Sequence, residues 1–338
     1  MVLSFVISFY NANVRDVNRC LDSIYNSIPD GIGLSDFEVV CVNDASTESE
    51  GVAAVSGYLH NGIHPDNLIL LHNKENKRLG GGRNTAMQVA KGRYIQNLDI
   101  DDFMAEGAFK HIVDCINRYD GVDVLRFDVH TADEDGNITI KGKTDVTFPQ
   151  KIFTGRDYVM THELPHAVWQ YLYRRDYLSE QKLSFVENRY FEDTDYSMMA
   201  VACAKELVDI PFATIVHTIN SYQITNIGNS EVKICDLYYL YYRIGCIVSR
   251  IYANDIDLGN SLLAIYIKNY TFIILESYLW RLPYLKIREL LVRYPLPDGV
   301  RLPWLMAMIR RYPRGSAVMI AAVSPAIRLV YKIYRLFK

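Results

Sequence analysis

The chain has 338 residues, is 50% hydrophobic and 22% charged, and carries a formal net charge of −3. That length suits one large domain or two modest ones around a real core, and the ordinary apolar and charged fractions exclude a disordered, collagen-like or disulfide-stapled miniature protein. The small net charge hides a split: residues 281–338 hold twelve Lys/Arg against Glu289 and Asp298, leaving 24 basic and 37 acidic residues in 1–280, and a basic tail on an acidic body points to an anionic surface as partner.

The opening segment, MVLSFVISFYNANVRD, has no basic stretch ahead of its apolar run and no small-residue cleavage site. A first strand over 2–8 is expected there, with no signal peptide. Helical spacing of Val14, Val17, Cys20, Leu21, Ile24 and Tyr25 predicts a helix over 14–27. Strands over 37–42, 67–71 and 93–98 follow, separated by helices near 48–59 and 82–91. Strand–helix repeats of this length imply an α/β fold, with a mostly parallel central sheet and helices on both faces. Ligands bind such sheets beyond the carboxyl ends of the strands.

After Asp102 the pattern changes. A strand over 122–129, a hairpin over 133–143 turning at Asp135-Gly136, and strands over 168–173 and 213–217 surround a helix near 193–204. From about residue 230 the signal is helical and rich in Tyr and Leu, broken by prolines. The expected organisation is therefore a catalytic domain over 1–228, split at 103/104, and a C-terminal α-helical region over 229–338. No window reaches the ~18 apolar residues of a spanning helix; the run 261–280 is broken by Lys268 and Glu276. Six cysteines without a CxxC pair read as reduced, buried thiols of a cytoplasmic protein.

Three strand ends carry polar clusters: Ser8-Phe9-Tyr10-Asn11, Asn43-Asp44-Ala45-Ser46-Thr47 and Asp99-Ile100-Asp101-Asp102. On a parallel sheet these open onto one crevice, where a base, a ribose and a metal-bound diphosphate could line up. Tyr10 offers a stacking face. In extended backbone Asp99 and Asp101 project to one side, and Mg²⁺ or Mn²⁺ takes carboxylate, phosphate and water oxygens together. Asp-x-Asp itself is common here, at 99/101, 133/135, 193/195 and 255/257; only the first follows a core strand of the alternating half. A further acidic segment, Glu192-Asp193-Thr194-Asp195, opens a helix. It could cap that helix or supply a general base to a hydroxyl. Gly80-Gly81-Gly82-Arg83 lacks the ending of a phosphate loop, which leaves a tight turn into a helix, or an Arg83 close to the nucleotide pocket.

The ordered set VISFYN (6–11), FEVVCVNDAST (37–47), GGGRNTAMQVAKGRYIQNLDIDD (80–102), VWQYLYRRDYL (168–178) and FVENRYFEDTDYSM (185–198) resembles the family 2 glycosyltransferases, inverting enzymes with the nucleotide-sugar-binding GT-A fold. The resemblance covers roughly residues 2–220. It implies a UDP-sugar donor, with Ser8, Tyr10, Asn11, Asp44, Arg83, Asp99 and Asp101 on the nucleotide-sugar side. It also implies a divalent metal at Asp101 and Asp102, Asp193 as catalytic base and Glu192 beside it in the acceptor site. Two departures stand out: Ser8-Phe9 replaces the usual proline or threonine before Tyr-Asn, and residues 217–225 lack the arginines often found there. Trp169 falls at an acceptor-side position and reads equally as a core aromatic.

The reaction implied is displacement at an anomeric carbon, with a glycan or lipid-linked glycan as acceptor in bacterial polysaccharide assembly. A sugar nucleotidyltransferase is the alternative, although such enzymes carry a glycine-rich basic loop after the first strand, which Ser8–Arg15 is not. A non-catalytic carbohydrate-binding relative is the third reading. Nucleic acid is not an expected partner, because the acidic body has no basic crevice with stacking residues. The alternation of apolar and cationic residues over 327–338 suits a helix lying on the inner face of an anionic membrane.

Overall fold

Strand β1 (Leu3–Phe9) is buried along its whole length, as its β-branched and aromatic residues favour for a strand covered on both faces. The computed structural model describes residues 1–60, 67–162, 167–220, 231–263 and 284–295. These fall in two compact units, Met1–Ile227 and Gly228–Lys338.

In the first unit β1 pairs in parallel with β2 (Phe37–Asn43) on one side and β4 (Tyr94–Asn97) on the other, and β2 pairs with β3 (Leu68–His72). Helices α1 (Val14–Tyr25), α2 (Glu50–His60) and α3 (Arg78–Val89) connect them. The register runs Phe9↔Asn43↔His72, so three strand ends finish level. Chain direction then reverses. β9 (Tyr171–Arg174) runs antiparallel to β4 and to β6 (Val124–Ala132), and β6 pairs in parallel with β10 (Leu207–Thr218). The short β5 (Phe103–Met104) and β8 (Ile152–Phe153) lie antiparallel on β10, and β7 (Ile138–Ile140) on β6. The fold is mixed α/β with one central sheet, parallel across β3, β2, β1 and β4 and reversed at β9.

α1 shows how local chemistry sets an element. Asn13 caps it by accepting from the Asp16 amide at 2.8 Å, a bond that satisfies one orphan donor of the first turn. Val17, Cys20, Leu21, Ile24 and Tyr25 form the buried stripe. α1 and α4 (Ala108–Arg118) cover one face of the sheet, where Phe5, Phe37 and Phe109 meet edge to face at 5.0–6.3 Å. Each such buried ring contributes about 1.5–3 kcal/mol. α3 packs on the opposite face with α7 (Glu192–Ala202); α5 (Gly155–Thr161) and α6 (Arg175–Glu180) complete the unit.

Several expectations shift by a few residues. The hairpin is β6–β7, turning over 133–137 with Gly136 at φ 88°. Residues 168–170 form a short 3₁₀ turn before β9. α4 was not expected at all. The glycine run is no turn: α3 begins at Arg78, so Gly80, Gly81 and Gly82 lie inside the helix.

The second unit contains helices Glu231–Asn254 and Tyr284–Arg293. Ile234, Tyr238, Ile287 and Leu290 are buried, and Tyr294 lies against the rings of Tyr239 and Tyr242 at 5.9 and 6.1 Å. No helix among the described residues is long and apolar enough to cross a membrane. The basic segment 327–338 lies outside the described residues.

Candidate active site

The chain leaves β1 and β4 toward opposite sides, the topological switch point of the sheet, where the fold predicts a ligand crevice beyond the strand ends. Tyr10 stands half exposed at its rim. Asn11 adopts a left-handed φ of 49°, and its Oδ1 accepts from the amides of Thr47 and Glu48 at 2.8 and 3.1 Å. Its side chain therefore ties the loop after β1 to the loop after β2. Asp44 is buried; its carboxylate accepts from the Lys77 amide at 3.0 Å and from Asn73 Nδ2 at 2.7 Å. Strained backbone gathers here: Asn11, Ala45, Arg78, Asn188 and Phe191 are all left-handed, a conformation that costs non-glycine residues about 1–2 kcal/mol each.

Ser8 lies beneath α3 rather than at the rim, 3% exposed, and its Oγ has no hydrogen-bond partner among the described residues. A β-carbon on Gly82 would overlap that oxygen, and one on Gly80 would overlap the Val186 carbonyl and sit 3.0 Å from Glu192 Cγ. The glycines let α3 dock directly on β1 and on the start of α7. That close docking carries Arg83 into the interior. Its side chain is 3% exposed, with Nη1 2.6 Å from Glu192 Oε1 and Nη2 2.6 Å from Asp99 Oδ1. Burial works against the charge, but the two carboxylates outweigh it and hold the guanidinium ionised.

The three aspartates after β4 have separate surroundings. Asp99 faces Arg83. Asp102 is fully buried: its Oδ1 accepts from the Thr218 amide at 2.8 Å and meets His217 Nδ1 at 3.0 Å. Burial lowers the His217 pKa, but the bond to Asp102 prevails and the net direction is upward. Asp101 accepts from Asn220 Nδ2 at 3.1 Å and alone of the three has no ion pair among the described residues. Burial, then Asp102 and Asp99, push its carboxyl up to about 7. The loop is pinned from below by Arg19, which donates to the carbonyls of Asp101 and Glu134 at 3.0 and 3.1 Å.

Among the described residues no three His, Cys, Asp or Glu side chains converge as a metal cage. Mg²⁺ and Mn²⁺ do not require one, since they take one or two carboxylates and fill the remaining positions with phosphate and water oxygens. A crowded carboxyl without a counter-cation, such as Asp101, fits that demand.

Asp193 sits in the first turn of α7, preceded by the left-handed Phe191 at φ 64°. Phe191 at the N-cap position makes no side-chain cap bond, and Glu192, Asp193 and Asp195 in the first turn complement the helix dipole. Glu192 turns inward to Arg83. Burial, then the charge of Glu192, pushes Asp193 up to about 7, the value suited to a base working near neutral pH. Trp169 is 9% exposed and stacks on His217 with centroids 5.1 Å apart. His217 and Asn220 escaped the sequence reading because they stand 115 and 119 residues from their aspartate partners.

Comparison with known proteins bears on the family and the fold. The family model "Glycosyl transferase family 2" matches residues 4–181. An uncharacterized glycosyltransferase of Bacillus subtilis, EpsJ, is 24% identical over 235 residues, covering 67% of this chain and 63% of its own length. A poly(ribitol-phosphate) beta-glucosyltransferase of Bacillus spizizenii is 26% identical over 61% of this chain and 30% of its own. The chain thus spans less than two thirds of these relatives. The crystal structure of S. aureus TarS 1–349 in complex with UDP-GlcNAc shares the fold, with a TM-score of 0.67 at 18% identity over 100% of this chain and 93% of that one. Because the family model matches more than half of its residues, this chain belongs to the family 2 glycosyltransferases.

Proposed function

We propose that the chain is an inverting glycosyltransferase that moves a sugar from a UDP-sugar to a glycan or lipid-linked glycan acceptor. The observation that carries this reading is the pairing of two acidic centres across one arginine. Arg83 touches Asp99 on the donor side and Glu192 beside Asp193 on the other, so the base and the acid cluster lie within reach of one side chain. The UDP-GlcNAc bound by the fold relative supports a UDP donor. The poly(ribitol-phosphate) beta-glucosyltransferase of B. spizizenii supports a polymeric acceptor.

In this mechanism Tyr10 stacks on the base, with Ser8, Asn11 and Asp44 shaping the pocket beneath it. Asp193 accepts the acceptor hydroxyl proton while that oxygen attacks the anomeric carbon from the face opposite the diphosphate. The carbon–oxygen bond to the diphosphate breaks as the new one forms, and the configuration inverts. A divalent cation at Asp101, with Asp102 behind it, would neutralise charge on the departing diphosphate. The base has to be ionised to act, and its raised pKa makes it a stronger acceptor once it is. The enzyme would work in the cytoplasm, with its basic tail resting on the inner membrane surface.

Asp193→Asn tests the reading. With a panel of UDP-sugars, acceptor glycans and Mn²⁺, the variant should bind UDP like the parent and lose transfer by about 10³-fold or more. Full transfer by the variant would remove Asp193 as the base.

A further inference from the structure

We propose that Arg83 is a positioning residue: from beneath the crevice it fixes the end of β4 to the first turn of α7, and it does not itself touch the donor. This inference rests on Asp193 being the base. Both terminal nitrogens of the guanidinium are engaged at 2.6 Å, by Asp99 and by Glu192, and the ring of Phe185 lies 5.3 Å from its central carbon. With 3% of the side chain exposed, a diphosphate in the crevice would meet the carboxylates before it met Arg83.

The residue type follows from the task. A planar fork can hold two carboxylates at fixed angles, whereas an ammonium is a point charge on a flexible stem. A buried Glu192 needs that partner, since an unpaired charge in the interior is costly. Helix α3 is built to deliver the fork: the missing β-carbons of Gly80 and Gly82 let its backbone rest on Val186, Glu192 and Ser8. The next residue, Asn84, secures the approach to α7 by pairing with the Phe185 backbone at 2.9 and 3.0 Å and with Glu187 at 3.1 Å. Three charged groups act on Asp193: Glu192 from its own helix, Asp99 from the end of β4 and Arg83 from α3. The first two hold its proton on, and Arg83 helps release it.

The test compares Arg83→Gln, Arg83→Lys and Glu192→Gln in the full chain, reading kcat, donor KM, UDP affinity by calorimetry and the pH–rate profile. Arg83→Gln should lower kcat at neutral pH by about 10²-fold while donor KM and UDP affinity change by less than about threefold. Its profile should move to higher pH, because Asp193 then faces two carboxylates with no cation. Arg83→Lys keeps the charge and loses the fork, so kcat should be intermediate with the profile near the parent's. Glu192→Gln should move the profile to lower pH, and it keeps a neutral hydrogen bond to Arg83, so it carries the test if Arg83→Gln does not fold. A loss of UDP affinity of about tenfold or more in the Arg83 variants, with an unmoved profile, would make Arg83 a donor contact and overturn the proposal. Asp193→Asn separates the two readings. If it still transfers, the base assignment fails; if it is inactive while the Glu192→Gln and Arg83→Gln profiles stay unmoved, only the positioning role fails.

Discussion

Gly82 of α3 and Ser8 of β1 are in contact with no room between them: a β-carbon on the glycine would overlap the serine Oγ and lie 2.7 Å from its Cβ. Glycine inside a helix normally costs about 1 kcal/mol relative to alanine, so Gly82→Ala would stabilise an isolated helix. Here the strand is in the way. Overpacking of this kind typically costs about 1–3 kcal/mol, and Gly82→Ala is expected to destabilise the protein in urea titration. Adding Ser8→Gly should recover most of the loss, because it removes both atoms in the way. Equal stability of Gly82→Ala and the parent would show that the two elements are less tightly docked.

Asp101 and Asp102 are adjacent, yet they should fail in different ways. Asp102→Ala leaves the Thr218 amide and His217 without their buried acceptor, a loss of about 2 kcal/mol or more. Asp101→Asn removes a crowded negative charge that burial and two neighbouring aspartates disfavour. Its stability should be unchanged or slightly raised, while metal-dependent transfer falls. Chemical denaturation and a Mn²⁺ titration of activity distinguish the two.

The raised acids also set two opposite pH trends. Asp193 and Asp101 are each pushed up to about 7, against an ordinary aspartate value of about 3.9. The folded protein therefore holds these protons more tightly than the unfolded chain. Their contribution to stability is complete below about pH 4 and is lost as pH rises through about 7. Catalysis runs the other way, since Asp193 must be ionised to accept a proton. Without divalent metal, Tm should fall between pH 5 and 8 while kcat, measured with metal, rises. A Tm that rises over that interval would contradict the assignment.

The cationic tail yields a separate expectation. Replacing Arg328, Lys332, Arg335 and Lys338 with serine in the full chain should weaken sedimentation with anionic liposomes and leave turnover of a water-soluble acceptor unchanged. Each lost cation near an anionic surface is worth about 1 kcal/mol, so the effect should be large and salt-sensitive. Equal sedimentation of the two proteins would remove the membrane contact.

Much of this site was legible because its parts are local. The strand ends at Ser8, Asp44 and Asp99 could be placed because β-runs and helical periodicity alternate through the first hundred residues, and parallel pairing brings such ends together. The acidic start of α7 was visible for the same reason. The glycine run misled because it breaks the propensity rule for a tertiary reason: three glycines lie inside α3 to allow contact with β1 and α7. α4 is hard to read although Phe109, Ile112, Val113 and Ile116 follow helical spacing, because it starts after the left-handed Gly107 with no capping side chain to mark its start. What no local pattern could supply were the long-range pairings: Arg83 with Glu192 across 109 residues, and Asp102 with His217 across 115. They exist only once β10 has been laid beside β6 and α7 against α3.

The central claim, a direct displacement with Asp193 as base, is tested most directly by the configuration of the first product. Whichever UDP-α-sugar turns over should be followed by proton NMR during the first minutes of transfer or slow hydrolysis, before the free sugar equilibrates. The mechanism requires the β-anomer to appear first in the parent protein and no anomer to form above background with Asp193→Asn. Initial release of the α-anomer would mean retention, and with it a reaction for which this arrangement of Asp193, Glu192 and Arg83 is not the explanation.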